Sequence, residues 1–228
     1  TNHLMADLEK KYYPIVAKWL AKTHHCFKIA ENTGLKFSRA DIIGIRDIGG
    51  DLTGEIETIV VEVKRGSEAF ATASGQAYGY IVYANRVYLA DKRTNGFTQE
   101  ELQIASHLGI GLISIDKNNK CHEILSSPYY KPLTKLNASL LEKMQLGMCQ
   151  LCHCYIEISN EKGRHNQMER KKLNKAITDE KGFMFWNYEV ASRKERLGVR
   201  VGRENMTYER RFLCRDCVSI LGQLSSNK

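Results

Sequence analysis

The sequence predicts an α/β protein: a mixed sheet flanked by helices, followed by a smaller C-terminal module built around cysteines. Three observations predict this. Segments of helical period alternate with short β-branched runs over residues 1–130, the order expected of a sheet with helices on its faces. One run, Thr58 to Lys64, reads T-I-V-V-E-V-K and has the β-branched content of a strand. Downstream stand two Cys-x-x-Cys pairs, Cys149/Cys152 and Cys214/Cys217. The expected division is a core over 1–130, a linking helix over 131–146 and the cysteine module over 147–228.

Taken in order, Leu8, Tyr12, Ile15, Val16, Trp19 and Leu20 fall near a 3.6-residue period. Met5–Lys22 is therefore expected to be an amphipathic helix, kinked or broken at Pro14. His24-His25-Cys26 follows as a short loop. Adjacent residues rarely converge on one ion, so we read it as structural. Thr33–Arg39 holds a turn, and A-D-I-I-G-I begins at Ala40. The connection that follows contains Gly49-Gly50, suited to a turn needing positive φ. Its acids, Asp47, Asp51, Glu55 and Glu57, read as exposed turn residues, or as alternative ligands under a different register. Ser67 to Tyr83 reads as a helix with Phe70, Ala73, Ala77 and Tyr80 near one side. Arg86–Ala90 reads as a buried strand. Thr98–His107 is a helix opened by a Thr98/Glu101 capping box. Gly109 ends it, and G-L-I-S-I-D is the next buried strand. Pro128 and Pro132 mark a boundary, and Lys135–Leu146 a short linking helix.

If A-D-I-I-G-I pairs back on Thr58–Lys64 as a hairpin, Asp41 sits beside Glu62. Alternation puts Glu62 and Lys64 on one face of the strand, and Val61 and Val63 on the other. Two carboxylates hold a hard divalent cation through oxygen. Such a cation neutralises phosphate charge and acidifies a bound water. A lysine beside them orients that water or stabilises developing negative charge.

Asp41, followed by Glu62-Val63-Lys64, resembles the signature of the PD-(D/E)xK nuclease superfamily. Gln76 and Tyr80, four apart and so on one helical face, resemble the Q-x-x-x-Y element of its RecB-like branch. The resemblance covers roughly residues 5–130. It implies a restriction-endonuclease-like core that hydrolyses phosphodiester bonds in DNA, in restriction, anti-phage defence or repair. It further implies Mg2+ or Mn2+ held by Asp41, Glu62 and the Val63 carbonyl, with Glu9 of the first helix as an additional ligand. Lys64 would position the attacking water. Gln76 would support the lysine, and Tyr80 would reach the substrate backbone. Lys92 and Arg93 would contact the cut strand. One such site cuts one strand at a time, so double-strand cleavage implies a homodimer or repeated encounters. Two alternatives stand beside this reading: a non-enzymatic zinc-module DNA-binding protein that uses a nuclease-like fold for docking, and an RNA-directed nuclease.

The seven cysteines are odd in number and clustered, which points to reduced, metal-binding thiols in a cytosolic protein. Cys149, Cys152, Cys214 and Cys217 supply the four thiolates of a structural zinc site, making the C-terminal module a zinc-binding domain. The pairs are separated by 61 residues, so a long insertion must loop out and return. His153 and Cys154 are alternative ligands. Net charge is +8. The first 145 residues carry 18 Lys/Arg against 16 Asp/Glu, and the remainder 16 against 10. That basic excess favours a phosphate-bearing partner. Within the insertion, Arg170-Lys171-Lys172 and Arg193-Lys194 flank Phe183, Phe185, Trp186 and Tyr188. This interleaving suits DNA contact, while Phe183 and Phe185 alternate as in a strand. No apolar run approaches the ~20 residues of a membrane span. The charged start T-N-H-L-M-A-D-L-E-K-K lacks the apolar stretch of a leader. The expected location is cytoplasmic or nucleoid-associated.

Overall fold

The computed structural model describes residues 9–157, 183–187 and 209–220 other than 215 and 218. The chain divides into two compact units, one through Met144 and one from Gln145.

The first unit is built on six strands: β1 Lys28–Leu35, β2 Ser38–Asp47, β3 Ile56–Lys64, β4 Arg86–Lys92, β5 Gly111–Ile115 and β6 Cys121–Leu125. Their order across the sheet is their order in the chain. β3, β4 and β5 run parallel, and the outer strands pair antiparallel. The sheet is thus mixed, as expected. β3 is buried from Glu57 onward, because both its faces are covered, and its near-continuous apolar run follows from that.

One face is covered by α1, Tyr13–Thr23. A helical turn at Glu9-Lys10 breaks at Lys11-Tyr12, because Pro14, in the first turn of α1, has no N–H to give the Lys10 carbonyl and its ring crowds that carbonyl. Val16 and Leu20 of α1 pack on Ile42, Ile59, Val61, Val63, Ile113 and Ile115. After β2, a helical turn α2, Gly50–Thr53, starts from Gly50 at φ 52° and ends on Gly54 at φ 60°. The Asp47 carboxylate holds it by accepting the Gly49 and Gly50 N–H groups.

The other face is covered by α3, Phe70–Gly79, which tightens into a 3-10 turn Tyr80–Val82, and by α4, Gln99–Leu108. Ala73 and Ala77 of α3 and Ala105 of α4 pack on Leu89, Ile110 and Leu112. The α4 capping box forms as expected: Thr98 Oγ1 accepts the Glu101 N–H, and Glu101 accepts the Thr98 N–H. Gly109 ends the helix at φ 72°.

Three features differ from the sequence reading. β1 and β6, the two edge strands, were not legible, and the turn expected over Thr33–Arg39 closes at Lys36-Phe37 between β1 and β2. Glu57 is not an exposed turn acid. It is 1% exposed, and its carboxylate accepts Arg46 Nε and, at 2.6 Å, Arg86 Nε. The Pro128–Pro132 stretch does not close the unit. The Tyr130 N–H donates to the Asn85 carbonyl and the Leu133 N–H to the Val82 carbonyl. α5, Thr134–Lys143, follows, and its Asn137 side chain donates to Thr58 Oγ1 and the Tyr83 carbonyl. The helix expected as a linker therefore belongs to the first unit.

Among the described residues the second unit contains two antiparallel strand pairs. β7, Leu146–Met148, pairs with β8, Tyr155–Glu157. β9, Phe183–Asn187, the strand its alternating phenylalanines suggested, pairs with β10, Glu209–Leu213. A bridge between Cys149 and Phe212 joins the pairs. Gly147 lies against the Phe212 ring, where an added Cβ would come within 2.6 Å. Among the described residues no helix is long and apolar enough to cross a membrane.

Candidate active site and metal centre

The β2–β3 ladder runs from Asp47 opposite Ile56 to Ile42 opposite Val61. One residue beyond its end, a side chain takes over: Asp41 Oδ2 accepts the Val63 N–H at 2.8 Å. The other Asp41 oxygen accepts the hydroxyl of Tyr13, the first residue of α1. Glu62, on β3, is 6% exposed. Its Oε1 accepts Lys64 Nζ at 2.9 Å and its Oε2 the Tyr80 hydroxyl at 2.5 Å. Lys64 Nζ also donates to Glu68 Oε2 at 2.8 Å. The structure thus brings Asp41, Glu62 and Lys64 together, where strand alternation and the hairpin placed them. Sequence reasoning missed Tyr13 and Glu68. The available signal for Glu68 was its place four residues after Lys64; Tyr13 carries none locally.

Burial sets the electrostatics. It pushes the Asp41 carboxyl above its usual range, opposed by the hydrogen bonds from Tyr13 and Val63 and by the charge of Lys64. Burial and repulsion from Asp41 push Glu62 up to about 7 against the pull of Lys64 and Tyr80. Burial also raises Glu9, and the charges of Lys64, Asp41, Glu68 and Arg65 all act on it, so Glu9 shares this field. For Lys64, desolvation is overcome by Glu62 and Glu68, and the ammonium is held well above its ordinary value. Burial, together with Asp41 and Glu62 respectively, keeps Tyr13 and Tyr80 protonated, so both serve as donors.

Four carboxylates, Glu9, Asp41, Glu62 and Glu68, therefore face two cations, Lys64 and Arg65. A surplus of carboxylate oxygen at a buried strand end fits a hard divalent cation in ligand type and charge. Among the described residues these acids form no group of three tight enough to hold an ion as they stand, whereas the cysteines do.

The other expected contacts are distributed differently. Gln76 is exposed on α3, and Glu68 fills the place beside Lys64 expected for it. Tyr80 is 4% exposed and turned inward, its hydroxyl between Glu62 and the Arg39 carbonyl at 3.0 Å, not toward a substrate backbone. The Val63 side chain lies in the core and its N–H is engaged by Asp41. Lys92 Nζ donates to the Asp116 carbonyl and to Asn119 Oδ1. Arg93 is held by Asp91 at 2.7 Å and Glu101 at 2.8 Å. Arg170, Lys171, Lys172, Arg193 and Lys194 lie outside the described residues. His24 stacks edge-on against Trp19, consistent with a structural loop.

In the second unit, the sulfurs of Cys149, Cys152, Cys214 and Cys217 all lie within 4.8 Å of one another. Tetrahedral zinc with Zn–S of about 2.3 Å spaces its sulfurs by about 3.8 Å, so the four fit that ion. Backbone N–H groups point at the thiols: Cys214 N–H donates to Cys149 Sγ at 3.3 Å, and Cys217 N–H to Cys214 Sγ at 3.5 Å. Burial pushes the Cys152 thiol up, but hydrogen bonds from Cys154, Cys214 and Cys149 outweigh it and bring the thiol down to about 6. Cys154 lies alongside, its sulfur 3.0 Å from that of Cys152.

No protein-family model matches the chain. No curated protein matches it. Among solved structures it is similar to the SPO1766 protein of unknown function from Silicibacter pomeroyi, with 24% identity over 57% of this chain and 77% of that one, at a TM-score of 0.40.

Proposed function

We propose that the chain is a divalent-metal-dependent nuclease of the PD-(D/E)xK type, with a restriction-endonuclease-like core that cuts DNA and a structural zinc centre in its second unit. The observation that carries this reading is the convergence of Asp41, Glu62 and Lys64 at the end of β3, with both carboxyls raised by burial. Asp41 and Glu62 would hold Mg2+ or Mn2+, with Glu9 and the Val63 carbonyl as further ligands. When bound, such a cation supplies charge to the phosphate and acidifies a water. Tyr13 and the Val63 N–H fix the direction of the Asp41 carboxylate, and Tyr80 that of Glu62. Reacting groups held in orientation lower the entropic part of a barrier. Lys64 has two carboxylate partners, so it stays anchored by Glu68 when Glu62 turns to another cation, and its ammonium remains available to orient water. No covalent intermediate on the protein is required.

One observation favours a second reading. All four oxygens of Asp41 and Glu62 already accept from protein donors, as in a closed ion cluster. In that reading the first unit is a docking fold for a nucleic-acid-binding protein. Incubation of supercoiled plasmid, and separately of a matched RNA, with Mg2+, Mn2+ or EDTA decides between them. The nuclease nicks or linearises the plasmid only with metal, while Lys64→Ala and Asp41→Asn bind it without cutting. Plasmid bound but never cut by the wild type in any metal refutes the nuclease. Cutting confined to the RNA moves the substrate class.

A further inference from the structure

We propose that Arg65 is an oxyanion-binding residue of this site and takes a phosphodiester oxygen of a nucleic-acid backbone. This deepens the nuclease reading by assigning a substrate contact to it.

Arginines in folded domains are normally engaged, because five fixed donors are costly to leave without acceptors. The arginine side chains described in the first unit follow that rule with one exception. Arg39 donates to the Asn32 carbonyl, Arg46 and Arg86 grip Glu57, and Arg93 is held by Asp91 and Glu101. Arg65 makes no hydrogen bond or close ion pair among the described residues. Its Nε is buried and has no acceptor at all. A donor hidden from water and left unpaired is costly and calls for an explanation. A solvated surface arginine would not show this, since water would reach the Nε.

An Nε closed to water is closed to a phosphate too, so an anion meets the two outer Nη groups, which are neither buried nor hydrogen-bonded among the described residues, and their position favours it. Arg65 directly follows Lys64, at the edge where the parallel strands β3, β4 and β5 all end. In open α/β sheets, ligands bind beyond the carboxyl ends of such strands. Arg65 is the first residue past the end of β3. There it lies within electrostatic range of Glu9, which also feels Lys64 and Asp41. Both cations act on Glu9. Lys64 is tied to two carboxylates, so Arg65 is the cation left to receive an anion. A guanidinium fork matches two phosphate oxygens, which a single ammonium does not. Lys92 and Arg93, which the sequence favoured for this task, are already engaged within the fold.

The test measures binding separately from cleavage. The full chain is titrated onto a short fluorescein-labelled DNA duplex with Ca2+ replacing Mg2+, and anisotropy is followed over a range of KCl concentrations. Arg65→Ala is expected to weaken binding about tenfold and to reduce the slope of log Kd against log salt by about one, the signature of one lost phosphate contact. Arg65→Lys is expected to recover the slope and only part of the affinity. A thermal midpoint within about 2 °C of wild type excludes a merely structural effect. Arg65→Ala with an unchanged Kd and slope overturns the proposal, as does a wild type that binds no duplex. Arg65-dependent binding by a protein that cuts neither DNA nor RNA supports the oxyanion site and refutes the nuclease reading alone.

Discussion

Glu62→Gln is expected to stabilise the first unit, by an amount that grows as pH rises from 4.5 through 7. Glu62 is almost wholly buried beside Asp41, and its carboxyl is raised from 4.5 to about 7. Between these values the folded chain holds a proton that the unfolded chain has released. The stability contributed is complete below pH 4.5 and is lost as pH rises through 7. At about 1.36 kcal/mol per pKa unit, the charged form costs at most about 3 kcal/mol. Glutamine reproduces the protonated acid in shape. Its amide oxygen still accepts from Tyr80, and Lys64 keeps Glu68. The variant should match the wild type below pH 4.5 and exceed it by up to about 3 kcal/mol above pH 7, while losing cleavage. Urea unfolding without Mg2+ or Mn2+ measures this through Trp19, which packs on His24 and Tyr88 in the first unit. A Trp186→Phe background removes the second tryptophan. A variant less stable than wild type above pH 8, or a gap that does not change with pH, refutes the reasoning.

Three further outcomes are expected. Purified protein should carry one zinc per chain by elemental analysis; Cys149→Ser and Cys214→Ser should lose it, while Cys154→Ser should keep it. Glu57→Ala leaves two arginines facing a void, and breaking such a buried pairing costs about 3–5 kcal/mol; because Arg46 and Arg86 retain 26% and 25% side-chain exposure, urea unfolding should report the lower end. Gly109→Ala forces φ 72° on a residue with a Cβ and drives that atom within 1.9 Å of the Tyr130 hydroxyl, so its thermal midpoint should fall by several degrees, whereas Gly75→Ala, with nothing within 4 Å, should hold or raise it.

The parts of this fold that could be read from the sequence are those whose cause is local. The Thr98/Glu101 box is a four-residue signal, and it forms. Alternation in β3 alone predicts that Glu62 and Lys64 share a face and that Val61 and Val63 enter the core. β1 and β6 escaped because an edge strand is solvated on one side and only partly covered, so K-I-A-E-N-T-G-L and C-H-E-I-L carry no clean period. Glu57 escaped for a different reason. Its burial depends on arginines 11 and 29 residues away, and nothing in E-I-E announces them. The candidate site divides in the same way. Asp41, Glu62 and Lys64 lie on two adjacent strands and were legible from pattern. Tyr13 reaches the same point from α1 and Glu68 from the loop before α3, and only three-dimensional packing brings them there.

The two acids of the site are moored to different floors of the molecule. Asp41 is tied by Tyr13 to the helix on one side of the sheet, and Glu62 by Tyr80 to the helical layer on the other. The gap between the carboxylates is therefore a caliper whose jaws belong to separate cores. A methyl lost near Val16 would move one jaw, and a methyl gained near Ala77 the other, with neither residue touching the site. Warming should let the jaws drift before either core melts. Geometry at this strand end would then fail at a lower temperature than the fold, and substitutions that tighten either layer would extend its working range without altering a single group in the site.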